Sequence, residues 1–336
     1  SLLTFSFRFA MIQFHQKTGG VCMEKKPYIV GVGGANLDLN GASKAAIRLR
    51  DSNPGHISLS AGGVTRNVCE NLARLGADVK LLSCVGDDAF GSFICQACQD
   101  AGIDISHLNR VAGVSSSIYL SILDADGDML IGMSDMTIIQ EHMPQAYLQA
   151  QKELIQGAKI ITTDPCMGEN VLLQLLDLCT PEQIVSVDPV SCAYARVLAP
   201  HIGRIHTAKP NRMELEILAG MEIRSDEDLQ RAGARLIEKG LRRLFVSLGA
   251  EGCFYMDHTG LVLRRKLRPV KQMVNASGAG DSFAAAMLYA TLNGWNVEKT
   301  LDFAMAAGIA ALSHERTINP NMSVSLLEEI LEAHRI

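Results

Sequence analysis

A glycine-rich turn near the end of the 336-residue chain combines the residue types most suited to chemistry. It reads Asn275-Ala276-Ser277-Gly278-Ala279-Gly280-Asp281-Ser282-Phe283 and leads into a helical pattern rich in Ala and Leu. The first turn of a helix has unpartnered amide N–H groups and a partial positive charge, and glycine lets a bulky anion approach the backbone. We therefore predict an anion hole for phosphate at Gly278, Ala279 and Gly280.

Asp281 stands in the first turn of the same predicted helix. Its carboxylate would repel an anion if binding were the only purpose of the site. It suits a general base that takes a proton from an attacking hydroxyl group. The simpler alternative is an ordinary glycine-rich loop in which the aspartate caps the helix.

A second polar cluster begins at Lys209 and includes Asn211 and Glu214, three residues apart at the start of another predicted helix. Amides and carboxylates close to phosphates commonly hold Mg²⁺, often through water, because Mg²⁺ loses its water reluctantly. A plain helix N-cap is the alternative for this pair.

A third loop follows a predicted strand and contains Ser247, Gly249 and Gly252. In open α/β folds the carboxyl edge of the sheet is where ligands bind, so this loop is a candidate for contact with a nucleotide. A simple hairpin turn would have the same composition.

Polar residues near the first strand form the last cluster. Asn36 and Asp38 are two residues apart at the end of that strand and so share a face, and Asn67 points back from the next helix. Gly62 and Gly63 expose their backbone between them. Amides and a carboxylate are good partners for several neighbouring hydroxyl groups, although turn-forming polar residues are the alternative.

Alternating strands and helices must position these residues. The apolar runs and their spacing predict strands at 28–32, 79–82, 159–163, 184–188, 205–208 and 244–248, helices at 65–75, 90–101, 144–156, 169–179, 212–219 and 226–239, a hairpin at about 253–267, and helices near 279–293, 297–313 and 323–334. The alternation indicates an α/β fold with a mainly parallel sheet covered on both faces. Two interruptions, about 38–61 and 113–136, have strand and turn signals, including Asp126-Gly127, and predict a small accessory sheet over a cleft.

Composition excludes several classes of protein. Apolar residues make up 48% and charged residues 20%, which is typical of a folded chain, and the net charge of −5 argues against a dedicated nucleic-acid binder. No 18-residue apolar run predicts a membrane span. Nine cysteines, an odd number, favour reduced thiols in a cytoplasmic protein, and no spacing predicts a structural metal site.

The first residues are interpreted separately from the domain. Residues 1–22 precede Met23 and lack the basic start and the cleavage site of a secretory signal. We interpret residues 1–25 as a leader or tag and residues 26–336 as one domain, with 38–61 and 113–136 as its lid segments.

The chain resembles the ribokinase family of carbohydrate and nucleoside kinases, also called the PfkB family. The resemblance rests on four motifs in the order of that family: N-x-D at 36–38, GG-x-x-x-N at 62–67, N-x-x-E at 211–214 and GAGD at 278–281. The resemblance covers about residues 27–334. It implies a ribokinase-like three-layer αβα fold with a small β-sheet lid, and a phosphotransferase that uses ATP and Mg²⁺ on an alcohol group. It also implies a homodimer formed through the lid.

Roles in the family carry over to the matching positions. The resemblance makes Asp281 the catalytic base beside an anion hole, Asn36, Asp38, Gly62, Gly63 and Asn67 the sugar-binding residues, Lys209, Asn211, Ser247, Gly249 and Gly252 the nucleotide side, and Glu214 a magnesium ligand through water. Many members begin the motif with Asp-Thr, and their first Asp helps to bind a monovalent cation. Asn275 stands there instead, which keeps an oxygen ligand but loses the charge, so activation by K⁺ is in question.

Within the family, the segments 51–55, 61–67, 134–136 and 187–191 look most like the pseudouridine kinases. We therefore expect phosphorylation of the 5′-hydroxyl of a nucleoside, with ribose or another nucleoside as alternatives. Reading a C-linked uracil requires an acceptor for its extra ring N–H, and Asn53, Asp135 and Asp164 are candidates. Arg66 is the only cation within the sugar-side motifs, which disfavours a substrate that already bears a phosphate.

Other classes of function fit the sequence less well. Gly31-Val32-Gly33 offers the G-x-G of a dinucleotide-dependent oxidoreductase, but Asn36 takes the place of the last glycine and no helix follows. The chain has no Gly-Lys pair and hence no P-loop. A nucleoside-binding sensor without catalysis would not need Asp281, and an assay of ADP release would separate it from a kinase.

Overall fold

The computed structural model of the chain describes residues 26–125, 127–143, 145–268, 273–274 and 277–335. The predicted leader over 1–25, Asp126 of the predicted hairpin and Asn275 lie outside these residues. The strands are β1 (Ile29–Val32), β2 (Asn36–Ser43), β3 (Gly55–Gly62), β4 (Val79–Leu82), β5 (Cys84–Gly86), β6 (Asn109–Val111), β7 (Ile118–Leu123), β8 (Met129–Asp135), β9 (Ile160–Thr163), β10 (Ile184–Val187), β11 (Thr207–Ala208), β12 (Arg243–Ser247), β13 (Cys253–Asp257) and β14 (Val262–Arg265). The α-helices are α1 (Val64–Arg74), α2 (Ala89–Asp100), α3 (Thr137–His142), α4 (Gln145–Ala150), α5 (Lys152–Gly157), α6 (Glu169–Leu178), α7 (Cys192–Leu198), α8 (Arg212–Ala219), α9 (Asp226–Glu238), α10 (Ala279–Leu292), α11 (Val297–Leu312) and α12 (Val324–His334).

An eight-stranded sheet runs through the centre of the molecule in the order β14-β13-β12-β11-β10-β9-β1-β4. Strand β1 pairs in parallel with β4 and β9, so that Ile29 lies opposite both Val79 and Ile160. Among the described strands of this sheet, only β13 makes antiparallel pairs, with β12 and with the edge strand β14. The predicted mainly parallel sheet is confirmed.

Both faces of this sheet are covered by apolar side chains from helices. Val30 belongs to a buried cluster with Leu172 of α6, whereas its neighbour Ile29 belongs to a second cluster with Leu72 of α1 and Phe303 of α11. Successive residues of a strand point to opposite faces, so these two clusters are separate layers. The predicted three-layer αβα architecture is confirmed.

A separate four-stranded sheet, here called the lid, has the strand order β3-β2-β7-β8. The predicted small accessory sheet is confirmed, although its strands cover 36–43, 55–62, 118–123 and 129–135. Asn36 and Asp38 therefore begin the lid strand β2, and their expected position at the end of the first strand was wrong. The chain leaves β1 at Val32, and the backbone N–H of Leu37 already donates to the carbonyl of Ser117 at 2.9 Å.

The lid has one polar and one apolar face because directly paired residues point to the same side of a sheet. Asp38 pairs with Ser60 and Tyr119, whereas the next residue, Leu39, pairs with Leu59 and Leu120. Further apolar residues on this face are Leu37, Ile57, Ile118, Ile122, Ile131 and Met133. Leu59 and Met133 are 54% and 65% exposed, so much of this apolar face is open to solvent.

Two further expected elements differ from the observed ones. The helix expected over 144–156 is two short helices that separate at Gln151, and Pro144 lies outside the described residues. The strand expected from Ile205 is only Thr207–Ala208, since a 3-10 helix occupies Ala199–Arg204 just before it. None of the helices in the described ranges combines the length and apolar content needed to cross a membrane.

Candidate active site

The glycine-rich turn forms a left-handed entry into helix α10. Gly278 has φ = 77°, and a Cβ atom there would lie 2.0 Å from the carbonyl oxygen of Thr317, so no larger residue fits. Among the described residues no side chain caps the start of the helix, and the N–H groups of Ala279, Gly280 and Asp281 lie in its first turn. These amides are the donors that the predicted anion hole requires.

Asp281 is a partly buried carboxylate at this helix start. Its Oδ2 accepts a hydrogen bond from Asn67 Nδ2 at 2.9 Å, across 214 positions of sequence. Burial, followed by repulsion from Asp188, raises the pKa of Asp281 to about 7, against the opposing effects of Asn67 and Lys209. A base with this pKa is balanced between its two protonation states near neutral pH.

A buried ion pair lies beside the same helix start. Lys209 Nζ is 3.0 Å from Asp188 Oδ2, and a Cβ atom at Gly280 would be 3.4 Å from the same nitrogen. Burial lowers the pKa of Lys209, but the negative charges of Asp188 and Glu214 outweigh it and the net shift is upward. The ammonium group therefore stays charged close to the predicted anion hole.

Asn211 and Glu214 form a capping box at the start of α8. Asn211 Oδ1 accepts from the N–H of Glu214, and Glu214 Oε2 accepts from the N–H of Asn211, both at 2.9 Å. The N-cap alternative is thus the observed local structure. Glu214 uses Oε2 for this capping bond, and burial together with Asp188 raises the pKa of the side chain.

These carboxylates suit Mg²⁺ that keeps most of its water. Within the described ranges no three His, Cys, Asp or Glu side chains form a ligand cage. Mg²⁺ in phosphate sites is commonly bound by one or two carboxylates, waters and the phosphates themselves. Glu214, with one oxygen outside its capping box, and the neighbouring Asp188 match that requirement.

The sugar-side residues meet at the junction of β2, β3 and α1. Asn36 Nδ2 donates to Asp38 Oδ1 at 2.6 Å, and a Cβ atom at Gly62 would lie 2.3 Å from both carboxylate oxygens of Asp38. Burial raises the pKa of Asp38 to about 6, although Asn36 and Arg66 oppose it. Gly63 has φ = 99°, and its missing Cβ would collide with the carbonyl of Gly34 at 2.4 Å.

The loop after β12 lies next to the start of α8. Ser247 donates its N–H to the carbonyl of Pro210 at 3.1 Å and forms a parallel bridge with Asn211. Gly249 and Gly252 both have positive φ, and a Cβ atom at Gly252 would lie 2.1 Å from the carbonyl of Arg265. The turn geometry explains both glycines, and the bridge brings the loop to the edge that also holds Lys209.

The three proposed readers of the base have other partners. Asn53 is exposed and bonds through its amide to the backbone of Arg48 and Asp51. Asp135 is exposed and accepts from the N–H of Thr137. The sequence alone does not distinguish the two roles, because an isolated Asn or Asp in a turn can either bind the nearby backbone or face a ligand.

Asp164 is fully buried, and its hydrogen-bonding capacity is used inside the protein. Its Oδ2 accepts from Gly34 N, Thr65 N and Thr65 Oγ1, and its Oδ1 accepts from Cys166 N. It joins the end of β9 to the start of α1 and adds to the negative field at Asp281. The expectation that Asp164 reads a base therefore has no support in the geometry.

Sequence reasoning missed two groups. Asp188, directly after β10, pairs with Lys209, and its place at the carboxyl end of a strand was the available signal. The second group is Asn40, Tyr119 and Ser121, which lie on the polar lid face with Asp38. Their alternation with apolar residues along β2 and β7 was the available sequence signal for a two-faced sheet.

Comparisons with known proteins agree with this geometry. The model of the pfkB family of carbohydrate kinases matches residues 26–323. Pseudouridine kinase of Escherichia coli K12 is 35% identical over 311 residues, which cover 92% of this chain and 98% of that protein. Guanosine-inosine kinase of Exiguobacterium acetylicum is 28% identical, covering 88% and 97%. The structure of Arabidopsis thaliana ribokinase complexed with ribose and ATP shares the fold with a TM-score of 0.83 at 22% identity, covering 91% and 99% of the two chains.

Proposed function

This chain belongs to the pfkB family and is a phosphotransferase that acts on a hydroxyl group, and we propose that its acceptor is the 5′-hydroxyl of pseudouridine. The donor is ATP, and the products are pseudouridine 5′-phosphate and ADP. The single observation that carries the transfer chemistry is the Asn67–Asp281 hydrogen bond, which joins the sugar side to the base at the start of α10. The choice of pseudouridine is supported by the 35% identity to the pseudouridine kinase of Escherichia coli.

Asp281 removes the proton that makes the acceptor a nucleophile. The 5′-oxygen forms a bond to the γ-phosphorus of ATP, the bond from that phosphorus to the bridging oxygen breaks, and ADP leaves with that electron pair. The proton of the 5′-hydroxyl passes to the Asp281 carboxylate. The elevated pKa of Asp281 makes it a stronger proton acceptor than an exposed aspartate.

The start of α10 and Lys209 stabilise charge on the transferring group. The amides of Ala279, Gly280 and Asp281 donate to the phosphoryl oxygens, and the nearby ammonium group adds a positive charge. Donors held by the backbone require no reorganisation during the reaction.

Glu214, through water, and the neighbouring Asp188 would hold Mg²⁺ on the nucleotide side. Held there, Mg²⁺ would supply positive charge that offsets the charge of the phosphates. Asn211 and the loop of Ser247, Gly249 and Gly252 shape the same side for the nucleotide.

Asn36, Asp38 and Asn67 bind the hydroxyl groups of the ribose. An ionised Asp38 accepts hydrogen bonds, and the absence of a side chain at Gly62 leaves room for its carboxylate. Arg66, the cation of the sugar-side motifs, is already paired with Glu70. A substrate without a phosphate is therefore favoured.

In this proposal the polar lid face contacts the nucleobase of the acceptor. Asn40, whose Oδ1 accepts from Ser121 Oγ, has acceptor capacity left for the extra ring N–H of pseudouridine. Because a guanosine-inosine kinase is among the proteins similar to this chain, purine nucleosides are the competing acceptors.

A substrate panel tests the proposal. Pseudouridine, uridine, guanosine, inosine and ribose are each supplied with ATP and Mg²⁺, ADP formation is followed, and the phosphorylated position is assigned by phosphorus–proton coupling. Pseudouridine should give the highest kcat/KM, and Asn40→Ala should reduce that value while leaving ribose unaffected. A higher kcat/KM for ribose or for a purine nucleoside would reject the substrate, and no ADP with any acceptor would reject the activity.

The apolar lid face supports a homodimer. Leu59, Leu120, Ile131 and Met133 lie on one side of the lid and are more than one-third exposed. A second copy of this chain that presents the same face would remove these side chains from water. The eight cysteines of the described residues are free thiols, which agrees with a proposed location in the cytoplasm.

A further inference from the structure

Arg66 is a buried cation next to the proposed active site. It lies in the first turn of α1 and is 3% exposed, and its Nη2 forms an ion pair with Glu70 one turn later. Glu70 also accepts from Arg74 Nη2 at 2.7 Å, so a single carboxylate is shared by two arginines. Burying a guanidinium group is costly unless each of its contacts is useful, and helix α1 would already have an ion pair without Arg66.

The second nitrogen of this guanidinium group makes two contacts outside the ion pair. Arg66 Nη1 donates to Asn67 Oδ1 and to the carbonyl oxygen of Ala61 in β3, both at 3.1 Å. Arg66 thus contacts both Asn67, the hydrogen-bond partner of Asp281, and the end of lid strand β3.

The contact with Asn67 determines which way its amide faces. A guanidinium group can only donate, so the oxygen of Asn67 must point to Arg66. The amide nitrogen then faces Asp281 and donates to its Oδ2 at 2.9 Å. In the opposite orientation Asn67 Oδ1 would face Asp281 Oδ2, and two acceptors would lie 2.9 Å apart with no proton between them.

We propose that Arg66 is a positioning residue for the base, which holds the Asn67 amide with its donor towards Asp281 and ties that donor to lid strand β3. This inference rests on the proposed role of Asp281. Arg66 itself touches neither substrate nor reacting atoms.

Loss of Arg66 frees the amide to rotate. An amide oxygen turned towards Asp281 favours the protonated carboxyl, so the pKa of Asp281 rises further. The other groups that face Asp281 are Asp188, Asp164 and Lys209, and all three remain in place. Arg66 also lowers the pKa of Asp38, so the upper ionisation of the pH profile, that of Asp281, is the one that reports on Asn67 and Arg66.

The test compares Arg66→Met with Arg74→Met, which removes the other partner of Glu70. The readout is kcat/KM for the acceptor as a function of pH, together with Tm for each variant. If the pKa of Asp281 rises by about one unit, Arg66→Met loses about fivefold in activity near pH 7 and recovers most of it above about pH 9. Arg74→Met keeps the wild-type profile.

A double-mutant cycle excludes a purely structural role. In an Asn67→Ala background, Arg66→Met should cause no further shift of the ionisation of Asp281, since the donor that it positions is absent. The lower ionisation, that of Asp38, should still rise, because Arg66 also lowers the pKa of Asp38. Arg66→Lys, which retains a donor and a charge, should restore part of the profile. An unchanged ionisation of Asp281 in Arg66→Met, or an equal shift of that ionisation in the Asn67→Ala background, would overturn the inference, whatever happens to Tm.

Asp281→Asn separates this inference from the proposed function. If Asp281→Asn is inactive and Arg66→Met retains the wild-type profile, only the role of Arg66 fails. If Asp281→Asn is as active as the wild type, the proposed base itself fails.

Discussion

Asp281 combines two demands that oppose each other. A carboxylate must be partly buried to be a strong base, and the same burial disfavours its charged form in the folded protein. Asp188 adds to that cost, while Asn67 and Lys209 reduce it. Activity and stability are therefore linked at this one side chain.

Replacing Asp281 by Asn should separate the two demands. We expect turnover to fall at least ~100-fold, because the general base is lost. Tm at pH 8 should rise, because the pKa of Asp281 in the folded state, about 7, lies above its value in the unfolded chain. Stability from this group is present at low pH and is lost as the pH rises towards 7, and an amide has no such loss. Steady-state kinetics and thermal melts at pH 5 and 8 check both parts, and turnover near that of the wild type would contradict the role of Asp281.

The pH dependence of kcat/KM should show two carboxylates. Asp281, with a pKa of about 7, and Asp38, with a pKa of about 6, both act in their ionised forms. We expect log kcat/KM to fall with a slope of about 1 below pH 7 and about 2 below pH 6. Asp38→Asn should lower kcat/KM and remove the second ionisation while keeping the first. A profile that stays flat down to pH 5 would contradict both assignments.

At the scale of elements, the start of α10 depends on one backbone conformation. Gly278→Ala would place a methyl group 2.0 Å from the carbonyl of Thr317 at a positive φ. We expect a loss of about 2 kcal/mol or more in the free energy of unfolding and a larger loss of turnover. Gly280→Ala is the matched variant, since its methyl group meets only Lys209 Nζ at 3.4 Å, and its Tm should stay near that of the wild type. Equal Tm values for both variants would show that the turn tolerates a side chain at 278.

The sequence predicts elements better than it predicts side-chain partners. Glycines at a helix start and apolar runs in strands are local signals, which explains why the anion hole and the parallel sheet could be anticipated. Asp164 could not be assigned, because a lone aspartate after a strand looks the same whether it faces a cavity or accepts from the amides of Gly34 and Cys166. Arg66 could be recognised as a cation, but its partners Glu70 and Asn67 require the folded helix.

At the scale of the whole molecule, the site is assembled from distant parts of the chain. Lid strand β2 supplies Asn36 and Asp38, and helix α1 supplies Asn67. Asp188 and Lys209 follow strands of the central sheet, and α10 supplies Asp281. The contact between Asn67 and Asp281 closes this arrangement. The apolar lid face points away from that contact and is the surface on which we expect assembly.

Leu59→Arg should prevent that assembly. A charge on the apolar lid face opposes its burial against a second copy, so sedimentation velocity should show a dimer for the wild type and a monomer for the variant. Leu49→Arg is the control, since Leu49 is 81% exposed in the connection between β2 and β3. A wild-type protein that sediments as a monomer would reject the homodimer.

The alternation of side chains along β2 has a consequence for how this protein can change over evolutionary time. Asp38 and Leu39 are adjacent in sequence but serve opposite surfaces. Point substitutions can alter ligand preference without touching subunit contacts, or the reverse. Inserting or deleting one residue in this strand would exchange the two surfaces and damage both at once, so divergence here should proceed by replacement at constant length.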